Sequence, residues 1–181
     1  MTQKTTAKTK NTQQYGGYSS GEEERQITEL MLERRRDTVG LEMPSREGFL
    51  TEATRDSIRH YAQGMGIDDP LYSDPQYAKD TRWRGIIAPP MMYRRMGVAV
   101  EKEFTDEQKL KQRDALAGIH AWYAGDHVQW FRPIHVGDVL TSRRFRGDVV
   151  EKRSAFAGRT VFDYNCHECW NQRGELVVRV T

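Results

Sequence analysis

The stretch "IHAWYAGDHVQWFRPIHVGDVLTSRRFRGDVV", residues 119–150, is where the chain changes character. β-Branched and aromatic residues dominate it, and the short groups "AGD", "VGD" and "RGD" punctuate it as turns. The same grammar continues through "GRTVFDYNCHECWNQRGELVVRVT", residues 158–181, with "QRG" as its turn. There Thr160, Phe162, Tyr164 and Cys166 alternate with polar Asp163, Asn165 and His167. A period of two predicts antiparallel strands, with the Thr160–Cys166 set turned to the core.

Upstream of this region the pattern is helical. Thr51 or Thr54 can cap a helix in which Ile58, Tyr61, Ala62 and Met65 fall at helical spacing, ended by Gly64 and Gly66. Asp74 as N-cap and Pro75 at the first helical position start another short helix. In "RWRGIIAPPMMYRRMGVAVEKEF", residues 82–104, an extended lead-in meets two prolines that can begin a helix but not sit inside one. Met91, Met92, Met96, Val98, Ala99 and Val100 then predict a buried helix over Pro89–Lys102. Thr105 and Gln108 form a capping box for a helix stopping near Gly118. Residues 21–36, with Ile27, Leu30 and Met31 and basic Arg34–Arg36 at the end, predict a short amphipathic helix.

Helices first, strands afterwards and one buried helix give an α+β class, with no internal repeat. Residues 1–20 are rich in Thr, Gln, Lys, Ser and Gly and read as a flexible tail ahead of a single domain over residues 21–181. The net charge of +2 is too small to argue for nucleic acid. No run of about 18 apolar residues suggests a membrane helix, and the N-terminal stretch lacks an apolar signal region. With only two cysteines, a reduced cytoplasmic protein is expected.

Few residues offer obvious chemistry. Cys166 and Cys169 lie three apart on a strand, so their sulfurs point to opposite faces and cannot share an ion. The five histidines show no ligand spacing, and no phosphate loop, dinucleotide fingerprint or nucleophile elbow is present. No metal or cofactor is expected. Arg82, Arg84, Arg94 and Arg95 flank the Ile-Ile-Ala-Pro-Pro segment, either as solvated basic surface or as a landing site for phosphates.

Three segments taken together, "YAQGMGIDDPLYSD" (61–74), "GIIAPPMM" (85–92) and "AGDHVQWFRPIHVGDVL" (124–140), resemble the MaoC-like enoyl-thioester hydratase/dehydratase family. The likeness is nearest to the branch of non-catalytic subunits and covers residues 40–181. It implies a hot-dog fold, a long antiparallel sheet wrapped around one buried helix, with extra N-terminal helices. Family catalysis needs an Asp and a His on one loop, Gly-Asp-x-Asn-Pro-Leu-His, and a backbone N–H at the start of the buried helix to hold the thioester oxygen. Here Ile67 stands in the Asp place, Tyr72 in the His place and Asp69 in the Asn place. Ile67 carries no proton, and a tyrosine with a pKa near 10 is a poor base at neutral pH. The oxyanion position falls on Pro90, which has no N–H, or one residue on at Met91.

The resemblance therefore implies an acyl-binding subunit without an intact catalytic pair. Tyr72, Ile87, Ala88, Pro89, Pro90, Met91, Met92 and Met96 are its expected substrate-binding residues, the methionines suiting a tunnel for variable chains. Its expected partners are an acyl-CoA or acyl-carrier-protein thioester and a second hot-dog chain. Two alternatives stay open: an autonomous hydratase using Asp68, Asp69, Tyr72 or His127, and a non-enzymatic thioester-binding homodimer.

Overall fold

The computed structural model describes residues 26–44, 47–99, 103–111, 115–155 and 158–181; the expected tail at residues 1–20 lies outside them. The described strands are β1 (Glu42–Met43), β2 (Val98–Ala99), β3 (Val128–Trp130), β4 (Leu140–Ser154), β5 (Gly158–Asn171) and β6 (Leu176–Val180). They form one sheet in the order β1-β4-β5-β6-β3, with β2 joining β4 in parallel. The long hairpin of β4 and β5 runs in register from Leu140 opposite Asn171 to Ser154 opposite Gly158, with one irregularity between Arg146 and Val149. Gly147 sits at that irregularity because a Cβ there would lie 3.0 Å from the Tyr164 carbonyl oxygen.

The helices are α1 (Glu29–Arg36), α2 (Arg55–Gly64), α3 (Pro75–Asp80) and α4 (Asp106–Lys111). Of the two threonines able to cap α2, Thr54 does so, accepting the Ser57 N–H at 3.1 Å. Asp74 caps α3 through the N–H groups of Gln76 and Tyr77. The Thr105–Gln108 box closes reciprocally, at 2.9 and 3.2 Å, ahead of α4. The described part of α4 ends at Lys111, followed by turns over 115–118. No helix among the described residues is long and apolar enough to cross a membrane.

The buried helix expected over Pro89–Lys102 is a 3₁₀ helix of six residues, Pro90–Arg95, followed by β2; residues 100–102 lie outside the described ones. Two features stop it. Gly97 takes φ 141, a conformation that breaks the helix and that side chains avoid, and the β-branched Val98 then enters the sheet against Thr141. The segment is also buried on one side only. Met92, Tyr93 and Met96 are in the core, while Met91, Arg94 and Arg95 are exposed.

The main core joins Ala53 and Ile58 of the α2 region, Ala78, Ile86, Ala88, Met92, Tyr93, Met96, Ile134 and Leu140 to Cys169, Val177, Val178 and Val180. This corrects the expected facing of β5. Cys169 belongs to the core and His167 meets the Tyr93 ring at 6.2 Å, so the odd-numbered face is turned inward there. Tyr164 and Cys166 point to the other side of the sheet. Polar character misled because Asp163 and His167 have partners on the inner face. α1 packs on the far end of that face, where Leu32 is fully buried. Arg35, 3% exposed, donates to Thr38 Oγ1 at 2.8 Å and to Asp163 Oδ1. Leu30, expected on the buried stripe, is exposed instead.

Two consequences are measurable. Asp163→Ala leaves the Arg35 guanidinium buried without its carboxylate and should cost about 3 kcal/mol, read as a lower urea midpoint at unchanged m. Adding Arg35→Met should recover most of that loss, and a cost below about 0.5 kcal/mol for the single change would show that the pair does not fasten α1. The second concerns His167, whose pKa is held below 6.5 by burial first and by Arg144 and Arg94 second. Below pH 6.5 the unfolded chain gains a proton that the folded chain refuses, so this contribution to stability is full above 6.5 and falls as the pH drops. Between pH 7.5 and about 5.5 the wild type should lose more stability than His167→Gln; equal losses would remove His167 as the cause.

Candidate functional site

The loop after α2 is built as a closed unit. Gly66, at φ 69, ends the helix, and the N–H of Ile67 returns to the Ala62 carbonyl at 2.9 Å. Asp69 Oδ1 accepts the Leu71 N–H at 2.9 Å and so caps a 3₁₀ turn over Pro70–Tyr72. The half-buried Tyr72 packs against the main core, and burial first, then the Asp69 charge, raises its phenol above the usual value. Ile67 is half-buried and lines a groove of about 420 Å³ together with Arg59, Gln63, Asp68, Asp69 and Ser73.

The second part of the site starts where Ala88 donates its N–H to the Ile134 carbonyl at 2.7 Å and Ile87 bridges to His135. Pro89 is buried and Pro90 opens the 3₁₀ helix, whose first N–H therefore belongs to Met91. Ile87, Ala88 and Pro90 line a cavity of about 210 Å³. Its remaining walls are Trp83, Trp130, Phe131, Arg132, Pro133 and Ile134. Tyr72, Asp68 and Asp69 do not line it, and neither do Met92 and Met96, which sit in the core. Ile67, in the Asp place, thus lines the groove, Pro90 lines the other cavity, and Tyr72, in the His place, lines neither.

The wall residues were not singled out from sequence. Trp130 and Phe131 read as ordinary strand residues, and Trp83 was masked by the arginines on either side. Asp138 was read as part of a turn; it is 1% exposed and accepts the His135 N–H at 2.9 Å and Arg173 Nη1 at 3.1 Å. These bonds hold the Arg132–His135 run against the turn between β5 and β6.

The arginines divide. Arg82 stacks over the Trp83 ring at 4.2 Å, and Arg84 beside it takes a left-handed φ of 59. Arg94 is ion-paired with Asp126, whose carboxylate also bonds the Tyr123 hydroxyl. The exposed Arg95 accepts the Leu50 N–H through its carbonyl at 2.8 Å. His127 is exposed, and its backbone pairs both ways with Thr181, prolonging β3. Cys169 lies 3.6 Å from His167 Nε2, but burial pushes its thiol up to about 12, so it is a neutral core residue and not a nucleophile. Among the described residues no group of three or more His, Cys, Asp or Glu side chains could hold a metal ion.

Residues 38–180 match the family model described as FAS1-like, dehydratase domain region. A UPF0336 protein of Streptomyces avermitilis is 26% identical over 140 residues, covering 77% of this chain and 86% of the relative. The ChsH1-ChsH2 complex from Mycobacterium tuberculosis aligns at a TM-score of 0.60 and 20% identity, over 83% of this chain and 86% of that one. The MaoC-like dehydratase from Rhodospirillum rubrum aligns at 0.52 and 19% identity, over 79% and 88%. At such identities the structural likeness speaks for the fold, and it bears out the expected α+β hot-dog architecture. The chain belongs to the FAS1-like dehydratase domain family, built on the MaoC-like hot-dog fold.

Proposed function

We propose that this chain is the acyl-holding, non-catalytic subunit of an enoyl-thioester hydratase or 3-hydroxyacyl-thioester dehydratase. The observation that carries the reading is the lining of the cavity at Pro90. Its one ionisable side chain is Arg132, a permanent cation that neither takes nor gives a proton at neutral pH. Water addition across an enoyl double bond needs a base for the water and an acid for the α-carbon. A second hot-dog chain with an intact Asp/His loop would supply both. The two-chain ChsH1-ChsH2 complex lends this arrangement support. An acyl-CoA or acyl-carrier-protein thioester is the substrate class that the family implies.

The shifted-residue alternative gains nothing from the geometry. Asp69 uses its carboxylate to cap a turn, and Asp68 faces the other groove. Tyr72 is held in its neutral form. Met91, which carries the first N–H of the 3₁₀ helix beside the cavity-lining Pro90, would be the oxyanion donor.

The partner would join at β3. Its Gln129 pairs inward with Arg179, and the mutual His127–Thr181 bonds fix the alternation. The N–H groups of Val128 and Trp130 therefore point to the outer edge, where no strand pairs among the described residues.

Two outcomes test this reading. Purified alone, the chain should hydrate crotonyl-CoA or longer enoyl-CoAs at least about 10²-fold more slowly than when mixed with a hot-dog chain bearing Gly-Asp-x-Asn-Pro-x-His. Equal rates with and without that partner would end the subunit reading. Val128→Pro removes an outward N–H but none of the bonds to β6, so it should shift the assembly to monomer in light scattering while circular dichroism stays native. An unchanged assembly would place the contact elsewhere.

A further inference from the structure

We propose that the cavity at Pro90 is an aryl-sized acyl slot. It takes the compact, planar end of a thioester, a benzoyl-like group or an acyl chain of about six carbons, and turns long chains away. The proposal rests on the acyl-holding reading and narrows it to a substrate class.

Size is the first argument. The cavity measures about 210 Å³. An engineered apolar cavity of about 150 Å³ holds a benzene molecule, whereas pockets for drug-sized ligands start at about 300 Å³. One ring with a few further atoms fits; a long hydrocarbon tail does not.

The second argument is that one wall of the slot is closed. It is the paired backbone of Ile87–Ala88 and Ile134–His135, joined by the 2.7 Å bond from Ala88 to Ile134. Ile87 and Ile134 are 7% and 2% exposed. A chain running through that wall would have to break a buried backbone hydrogen bond.

The walls are also rigid and aromatic. Trp130 meets the fully buried Tyr93 edge-on, with ring centroids 5.2 Å apart and an interplanar angle of 76°. Trp83 is backed by the Arg82 guanidinium at 4.2 Å. Flat ring faces held in place select a flat guest. The flexible methionines suited to variable tails, Met92 and Met96, are spent in the core and do not line the slot. Arg132 is paired with Glu175 at 3.3 Å, so the rim offers a neutral ion pair and suits an uncharged thioester better than a free carboxylate.

The test is calorimetric binding of benzoyl-CoA, hexanoyl-CoA and dodecanoyl-CoA to the full chain, beside free benzoate. Benzoyl-CoA and hexanoyl-CoA should bind at least 10-fold more tightly than dodecanoyl-CoA. Trp130→Ala should weaken benzoyl-CoA about 10-fold and shrink the preference over dodecanoyl-CoA. Trp170→Phe, outside the slot, should change neither, and circular dichroism checks that both variants fold. Dodecanoyl-CoA binding as tightly as benzoyl-CoA, or a preference untouched by Trp130→Ala, would overturn the slot while leaving the thioester reading in place. Benzoate binding as tightly as benzoyl-CoA would do the reverse. Binding of none of the four would defeat both.

Discussion

The two prolines at 89 and 90 govern the site. Ala88 spends its N–H on Ile134, and the next two residues have none to give. The chain therefore ends its pairing with Ile134–His135 at that point and turns into the 3₁₀ helix, with Pro90 fixed at its first position. The turn places Pro90 beside β3 and the Arg132–Ile134 run, and the slot is the space these three segments leave. Pro90 also has no N–H to offer an oxyanion. One local constraint thus shapes the cavity and weakens its chemistry together.

The loop at 66–74 is built to serve the fold. An ionised carboxylate at position 67 would be half-buried beside Ala62, a costly placement without partners. Ile67 removes that penalty. Tyr72 packs its ring on the core, and Asp69 caps the turn. Each of these residues favours the fold and offers no proton transfer, as the proposed division of labour with a partner would allow.

Strands and caps were legible because they rest on local rules. Thr54, Asp74 and Thr105 with Gln108 cap as their spacing said, and the "VGD" and "QRG" groups turn the chain, whereas the expected "RGD" turn at 146–148 lies inside β4 as its irregularity and "AGD" at 124–126 precedes β3 without a turn. The helix at 89–102 failed because apolar content was read as helical burial, while Gly97 and Val98 hand the chain to β4. The inner face of β5 failed for a different reason. Asp163 is drawn inward by Arg35, 128 residues earlier in the chain, and no window of sequence contains that pair. Ile87, Ala88 and Pro90 were legible through family likeness, whereas Trp83 and Trp130 become neighbours only through tertiary pairing.

The cavity at Pro90 and the groove at Ile67 share no lining residue, and this separation bears on any attempt to restore activity within the chain. An Asp at 67 and a His at 72 would return acid and base to the loop. The loop, however, is locked by the Ile67–Ala62 bond and the Asp69 cap, and its groove shares no lining residue with the slot. Proton transfer needs heavy atoms within about 3 Å. An Asp at 67 would face the groove and not the slot, so restoring it gains little unless the loop also moves. In the proposed assembly, groups delivered from a second chain across β3, whose Trp130 lines the slot beside Phe131, would need no such movement.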